Sequence, residues 1–307
     1  MLDFITSLVL ASLLIPSGFN FLADKAIDYS YIQPQTNIST PVRVVNNSFG
    51  LKTSAKSILV IDNNSGAVLY SKNSKAVLPI ASITKLVTAL VVLDNNPEWE
   101  KEVTIKESDQ RDGGIVYLLP GEVVTVKDLF NLMLTASSNE AAIALARSSD
   151  LQDFNAAMNN KAAQLEMFES YFLDPSGIEP GNTSSPGDLI KLAKAAFSNS
   201  QITEVLENTE YQFEIINNQR LVRAFSTDLL LNSFLNQEDY GYNIIGAKTG
   251  YLDEAGYCIL IQVEKSQGQS ITIAMLGAKT IIDRWQDTKG LVDWIFSNYQ
   301  WDINEGN

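Results

Sequence analysis

Hydrophobic and polar positions divide the chain into three kinds of stretch. Phe4 to Ala23 is a run of twenty uncharged residues, about the length a helix needs to cross a bilayer. Asp24 to about Lys56 carries Pro34, Pro41 and many Asn, Ser and Thr with little periodicity, and reads as a linker in which Val42 to Val45 has the pattern of a short strand. From Ser57 to about residue 300 the pattern is that of a packed domain. Ser57–Asp62 is predicted as a strand, Asn63-Asn64-Ser65-Gly66 as a turn and Ala67–Ser71 as the return strand. Ser82 to about Leu93 is predicted helical, and its apolar residues Ile83, Leu86, Val87, Leu90, Val91 and Val92 leave no open face, so it is expected to be buried nearly all round.

Short strands are expected at Glu102–Ile105 and Val123–Val126, around a loop holding Gly113-Gly114 and Pro120-Gly121. Helices are predicted over Lys127 to about Leu134, from Glu140 along the alanines 141, 142, 144 and 146, over Phe154–Leu165 and over Asp188–Phe197. Asp174-Pro175-Ser176-Gly177 to Ser185-Pro186-Gly187 reads as a turn-rich surface loop. From Tyr211 the period changes to two, with strands at Tyr211–Ile216, Arg220–Ala224, Asn243–Thr249, Gly256–Val263 and Ser270–Leu276. An amphipathic helix, Asp283 to about Tyr299, closes the domain and offers Trp285, Leu291, Trp294, Ile295 and Tyr299 to the sheet. This order predicts an α+β fold: an antiparallel sheet with strands from both ends of the domain, flanked by helices, plus a mostly helical block.

Composition restricts the chemistry. The chain has no histidine and one cysteine, Cys258, which excludes a Ser-His-Asp triad, a Cys-His pair, histidine-ligated zinc and an internal disulfide. Covalent hydrolysis would need a serine or threonine nucleophile, with lysine, tyrosine or a carboxylate as base. A net charge of −14 argues against nucleic-acid binding and against adsorption to anionic lipid. An anionic ligand must therefore be met by local cations or backbone N–H groups. The uncharged run is expected to be an uncleaved membrane anchor. A cleaved signal peptide with its h-region at Ile5 to Ile15 is the alternative, though Asp3 and the lack of a preceding cation make a poor n-region. A buried structural helix is a third reading.

Three short motifs follow one another: Ser82-x-x-Lys85, Ser137-Ser138-Asn139 and Lys248-Thr249-Gly250. On a helix Ser82 and Lys85 are neighbours, with Cβ atoms roughly 5–6 Å apart. The apolar surroundings dehydrate the lysine, which disfavours its charged form and lowers its pKa. A neutral amine beside a hydroxyl can act as base and turn the serine into a nucleophile. Each motif also has a bland reading. Ser82 and Lys85 fit a capped helix with a solvated lysine, Ser137-x-x-Glu140 fits a capping box, and Lys248-Thr249-Gly250 fits a strand with a glycine kink. Their order and setting favour a shared catalytic role.

Together these segments resemble the serine D-alanyl-D-alanine carboxypeptidases, the low-molecular-mass penicillin-binding proteins of peptidase family S11. The resemblance extends over Ala81-Ser82-Ile-Thr-Lys85-Leu, Leu134-Thr-Ala-Ser137-Ser-Asn139-Glu-Ala-Ala, Phe172-Leu-Asp-Pro175-Ser-Gly177-Ile and Gly246-Ala-Lys248-Thr-Gly250-Tyr-Leu-Asp-Glu-Ala255-Gly256-Tyr-Cys. It implies a β-lactamase/transpeptidase-like fold. Ser82 would attack the penultimate D-Ala carbonyl of a peptidoglycan stem peptide, Lys85 would take the proton, and Ser137 with Lys248 would relay one to the leaving amine. Asn139 would orient the substrate amide and hold Lys85. Lys248 and Thr249 would receive the terminal carboxylate, and Gly250 would let the substrate backbone lie along a strand edge. The N–H groups of Ser82 and Tyr251 would form an oxyanion hole.

The resemblance implies no cofactor or metal, β-lactam antibiotics as covalent inhibitors, and a place on the extracytoplasmic side of the cell envelope. Many members continue into an all-β domain and a C-terminal amphipathic anchor. This sequence stops after one helix, which makes the N-terminal segment the expected membrane attachment. Two alternatives stand beside this reading: a class A-like β-lactamase, for which the Asp174 loop lacks the expected glutamate-centred sequence, and a non-catalytic cell-wall binding module of the same fold.

Overall fold

The computed structural model describes residues 40–44, 48, 50–265 and 268–301. The chain divides into two units, 1–37 and 38–307, and all described residues lie in the second. The uncharged run at 4–23 and the linker as far as residue 39 lie outside the described residues. Among the described residues no helix is long and apolar enough to cross a membrane.

Strand β1 (Val42–Arg43) is short, as its sequence predicts, and β2 (Ser57–Asp62) and β3 (Val68–Lys72) form the expected hairpin. Asp62 closes that turn by accepting from the Ser65 N–H at 2.8 Å, and Gly66 takes the left-handed conformation at φ +73°. After β4 (Leu78–Pro79) comes α1 (Lys85–Asp94), whose residues from Lys85 to Val92 are all buried. The pair β5 (Glu102–Thr104) and β6 (Val123–Thr125) leads into α2 (Val126–Thr135). A capping box starts α2: Thr125 Oγ1 accepts from the Asp128 N–H at 3.0 Å, and Asp128 accepts from the Thr125 N–H at 3.1 Å. Next come α3 (Asn139–Ser148), α4 (Phe154–Gln164), β7 (Thr183–Ser184) and α5 (Pro186–Phe197), the last capped by Ser185 with Pro186 at its first position. A further helix, α6 (Ser200–Leu206), and short 3-10 turns between 229 and 240 have no counterpart in the sequence reading; the helix spans under two turns and each 3-10 turn three or four residues. The hairpin β8 (Glu210–Glu214) and β9 (Leu221–Phe225) precedes β10 (Tyr242–Leu252), β11 (Gly256–Lys265) and β12 (Gln269–Ala278), and the last elements among the described residues are α7 (Ile281–Asn298) and β13 (Tyr299–Gln300).

The central sheet is antiparallel with order β10-β11-β12-β2-β3, so its strands come from both ends of the domain. On one face, Leu291, Val292, Ile295 and Phe296 of α7 share a core with Ile58, Val60, Ile261 and Ile273. On the other, Leu260, Ala274 and Leu276 join the core of the helical block, which contains α1, α2 and α5. Covering both faces explains why β12 is buried at nine of its ten positions, whatever their parity. Strand β1 pairs with β13, so residues 42–43 of the proline-bearing stretch lie against the end of the domain. β10 forms one edge of the sheet, and that edge faces the helical block.

Two sequence-based expectations change. The segment from Asp174 to Ser185 is not a surface loop: Ser176, Asn182, Ser184 and Ser185 are fully buried. Asn182 is the reason, since its side chain accepts from the Leu173 N–H at 2.7 Å and donates to the Asp174 carbonyl at 2.8 Å and Thr84 Oγ1 at 3.2 Å. The cap of α3 is Ser138, which accepts from the Ala141 N–H at 3.1 Å, and not Ser137. Glu140 instead turns its carboxylate to the Tyr117 N–H at 2.7 Å.

Outside the central sheet, Arg147 of α3 meets the fully buried Asp109 with Nε and Nη2, both at 2.7 Å. Removing the guanidinium leaves a buried carboxylate without its cation, which typically costs several kcal/mol. Arg147→Met is expected to destabilise the domain by roughly 3–5 kcal/mol, read from the shift of the urea unfolding midpoint at unchanged slope.

Candidate active site

Ser82 lies on a 3-10 turn, Ala81–Thr84, that runs directly into α1, and not on the α-helix itself. Residues three apart eclipse on such a turn, which sets Ser82 over Lys85 at the start of the helix. Lys85 Nζ is 2.9 Å from Ser82 Oγ. The same amine donates to Asn139 Oδ1 at 2.8 Å and to the Ser176 carbonyl at 2.6 Å. Burial lowers its pKa to about 7, against the opposing pull of the Asp174 and Glu140 charges.

Three chain segments meet at Ser82, and two glycines allow it. Ala81 stands at φ +49°, a conformation that costs an ordinary residue about 1–2 kcal/mol. Its carbonyl rests on Gly177, where a Cβ would come within 2.2 Å of it. From the other side β10 approaches so closely that a Cβ on Gly250 would lie 2.7 Å from the Ile80 carbonyl and 3.1 Å from the Ser82 nitrogen. The glycine of Lys248-Thr249-Gly250 thus seats the strand against the turn. Asp174 shapes the third segment by accepting from the Ser176, Gly177 and Glu179 N–H groups at 2.7, 3.0 and 3.0 Å. Thr88 Oγ1 of α1 ties that segment down by donating to the Pro175 carbonyl at 2.7 Å.

The second motif enters from the break between α2 and α3. Ser137 is held at φ +60°, and its Oγ is 2.9 Å from Lys248 Nζ. Asn139 begins α3, and its Nδ2 donates to the Gly113 carbonyl at 2.9 Å, which draws the glycine loop to the site. Lys248 is buried on β10. Its pKa is pushed well below the ordinary lysine value by burial and then by the charges of Lys85 and Arg284, with Asp228 opposing. Thr249 Oγ1 is 2.8 Å from Thr227 Oγ1. The ring of Tyr251 is exposed and stacks on Tyr257 at a centroid distance of 4.3 Å.

All eight residues singled out from the sequence therefore converge. Ser82, Ser137, Asn139, Thr249, Gly250 and Tyr251 line a cleft of about 740 Å³, and Lys85 and Lys248 stand behind its serines. The exposed side chains of Ile115, Phe225 and Ile281 add apolar walls. Among the described residues no group of three or more His, Cys, Asp or Glu has the makings of a metal site.

Four contributors were not read from the sequence. The Gly113 and Ser176 backbone carbonyls leave no mark in side-chain identity. Asp228 looks like an ordinary turn residue before Leu229-Leu230-Leu231. Arg284 had a visible signal: a cation on the same helical stripe as the buried Thr288, Leu291 and Ile295. It is 6% exposed, lines the cleft and donates through Nη1 to the Gly250 carbonyl at 3.3 Å.

Residues 43–280 match the peptidase S11 family, described as D-alanyl-D-alanine carboxypeptidase. The chain is 30% identical over 262 residues to the D-alanyl-D-alanine carboxypeptidase DacF of Bacillus subtilis, covering 80% of this chain and 63% of that longer protein. It is 34% identical over 233 residues to a D-alanyl-D-alanine endopeptidase of Haemophilus influenzae, covering 72% of this chain and 74% of the relative. The crystal structure of penicillin-binding protein D2 from Listeria monocytogenes in its cefotaxime-bound form superposes with a TM-score of 0.69 at 30% identity, covering 81% of this chain and all of that one. The transpeptidase-like α+β architecture expected from the sequence is thus the architecture found, and the chain belongs to the S11 family of D-alanyl-D-alanine peptidases.

Proposed function

We propose that this protein is a serine D-alanyl-D-alanine carboxypeptidase that removes the terminal D-alanine from peptidoglycan stem peptides through an acyl-enzyme on Ser82. The observation that carries the reading is the hydrogen-bond balance of Lys85. A neutral amine has two N–H donors and one lone pair. The carbonyls of Asn139 and Ser176 accept but cannot donate, and they take both N–H groups. The lone pair is left for the remaining partner, the Ser82 hydroxyl. With a pKa of about 7 the amine is substantially neutral at physiological pH.

The reaction follows from that state. The Lys85 amine takes the hydroxyl proton as Ser82 Oγ bonds to the penultimate D-Ala carbonyl carbon. The backbone N–H groups of Ser82 and Tyr251 hold the oxyanion. The C–N bond then breaks, and the proton that Lys85 took from Ser82 passes through Ser137 and Lys248 to the leaving amine, so D-alanine departs, an ester remains on Ser82 and Lys85 is neutral again. Water attacks that ester with Lys85 again as base, which restores the serine. Lys248 and Thr249 receive the substrate's terminal carboxylate, and Asn139 orients its amide. β10 is an edge strand, so an extended peptide can add to it by main-chain pairing.

Several observations favour this reading over its alternatives. Asp174 spends its acceptor capacity on the N–H groups of its own loop, which speaks against its activating a deacylating water in a β-lactamase. The hydrogen-bonded pairs Ser82–Lys85 and Ser137–Lys248 speak against a purely binding module. The cefotaxime-bound Listeria protein supports β-lactams as covalent inhibitors here. The endopeptidase from Haemophilus keeps a second activity of the same site in play: cleavage of cross-linked stem peptides by the same acyl-enzyme route. This reading puts the protein on the extracytoplasmic side of the cell envelope, attached through residues 4–23 or released after their cleavage, with 57–300 as the catalytic domain and a linker over 24–56 whose C-terminal part joins the domain, since 42–43 pair with β13 and Ala55 is buried in its core.

Three outcomes test the proposal. Fluorescent penicillin is expected to label the wild type with a long-lived adduct and Ser82→Ala not at all; full labelling of the variant would remove Ser82 from the role. The acylation rate is expected to rise with pH as a single deprotonation centred at about 7 and to reach a plateau above it, because the protonated Lys85 cannot act as base. Lys85→Ala should lower that rate by roughly 10²–10⁴-fold. Mass spectrometry of purified muropeptides should show loss of one D-alanine from the pentapeptide. Cleavage of cross-linked dimers in preference to pentapeptides would assign the endopeptidase reaction, and rapid penicillin turnover would assign the lactamase.

A further inference from the structure

One wall of the cleft is a stretch of backbone that is fixed only at its ends. Residues 113–117 begin with two glycines at φ +95° and +80° and continue with Ile115 and Val116, whose side chains are exposed. Gly113, Gly114, Ile115 and Tyr117 line the cleft. At one end the Gly113 carbonyl accepts from Asn139 Nδ2 at 2.9 Å, and Gly114 lies over the same nitrogen, since a Cβ there would be 3.6 Å from it. At the other end Glu140, the next residue of α3, accepts from the Tyr117 N–H at 2.7 Å and from the Leu118 N–H at 3.3 Å. The Tyr117 carbonyl is taken from outside, by Arg220 Nη2 at 2.8 Å. Arg220 stands directly before β9 and forks onto the buried Glu122, with Nε at 2.7 Å and Nη2 at 2.6 Å. Glu122 in turn accepts from the Leu119 N–H at 2.8 Å. The hairpin that carries Arg220 is pinned to the same segment: Asn217 accepts from the Val123 N–H at 3.2 Å and donates to the Gly121 carbonyl at 2.9 Å.

The position of this stretch decides which way the Asn139 amide faces. The two ends of a side-chain amide have nearly the same shape and opposite hydrogen-bonding sense. A carbonyl can only accept, so Gly113 draws the Nδ2 end toward itself and leaves Oδ1 facing Lys85, from which it accepts at 2.8 Å. With the stretch drawn back, the amide is free to turn over and set an N–H against the amine. The lone pair of neutral Lys85 would then accept from Asn139 and be lost to Ser82.

We propose that Arg220 is a positioning residue for acylation: by gripping the Tyr117 carbonyl and Glu122 it holds the 113–117 stretch against α3, where the Gly113 carbonyl orients the Asn139 amide and so directs the Lys85 lone pair at Ser82. This rests on the Ser82 acyl-enzyme reading for its effect on rate, but not for the orientation of the amide. The charged groups that act on Lys85 are Asp174 of the neighbouring loop and Glu140 of α3, and Lys248 of β10 is coupled to it. Arg220 is not one of them, so its removal reaches Lys85 through the loop.

Arg220→Ala is expected to slow acylation by fluorescent penicillin about tenfold or more. Its acidic limb should move below the wild-type midpoint of about 7 by on the order of one unit, because an N–H turned toward the amine disfavours the charged form. Methylguanidinium should restore both, since the Arg220 side chain is partly exposed and its removal leaves a place beside Glu122. A residue that served stability alone would lower the unfolding midpoint and leave the rate and the limb of the folded protein where they are; that result overturns the proposal. Should the single variant not fold, Arg220→Met combined with Glu122→Gln gives the same two readings without leaving a buried carboxylate unpaired. Should neither fold, the wild type decides. With ¹⁵N in the Asn139 side chain, one Nδ2 proton must be protected from solvent exchange by its bond to Gly113, and two rapidly exchanging protons overturn the orientation. If Ser82→Ala still labels with penicillin, the proposed function fails, and the Asn139 signal still decides how the amide is held.

Discussion

The structure depends on keeping one amine out of water. Lys85 is 0% exposed, at the head of a helix whose own residues supply a hydrocarbon sheath. Burying an ammonium there is costly, and the site relieves the cost by favouring the neutral form and by presenting two fixed carbonyls to its N–H groups. The all-round burial of α1 is therefore chemical as well as structural. It sets the proton affinity of the group at its first turn.

That constraint explains why so many chain segments crowd one point. A dry lysine needs partners that do not bring water with them. The loop at 174–177 supplies a backbone carbonyl, and α3 supplies a side-chain amide clamped in turn to Gly113. The strained turn at Ala81 is tolerated because Gly177 and Gly250 let the chain pass within van der Waals contact on both sides. Strand β10 brings a second lysine, and the sheet edge lies open to a peptide beside it. An acidic protein thereby concentrates buried cations in one cleft against an overall charge of −14.

Much of this was legible in the chain. Alternation located the strands of the central sheet, and the unbroken apolar run from Ile83 to Leu93 located the buried helix with its lysine. The three short motifs converge because two sit at junctions between elements, 3-10 turn to α1 and α2 to α3, and the third lies within the edge strand that packs against the first. What the sequence hid was carried by the backbone or by tertiary context. The carbonyls of Ser176 and Gly113 have no side-chain signature. The polar loop at 174–185 resembles a surface turn, and only the Asn182 hydrogen bonds that satisfy its backbone from within make burial tolerable. Ser137 and Ser138 are chemically equivalent on paper; the positive φ at Ser137 decides that one faces Lys248 and the other caps the helix. Arg284 was masked by its helix, whose apolar residues drew attention to the packing stripe and away from the cation on it.

The central claim concerns a protonation state, and the most direct test observes that state. A ¹³Cε NMR titration of Lys85, assigned by loss of its signal in the alanine variant, reads the amine without any substrate present. The account predicts a midpoint near 7, several units below an ordinary lysine. A midpoint near 10.5 would contradict it, because an amine charged throughout the physiological range has no lone pair to offer Ser82.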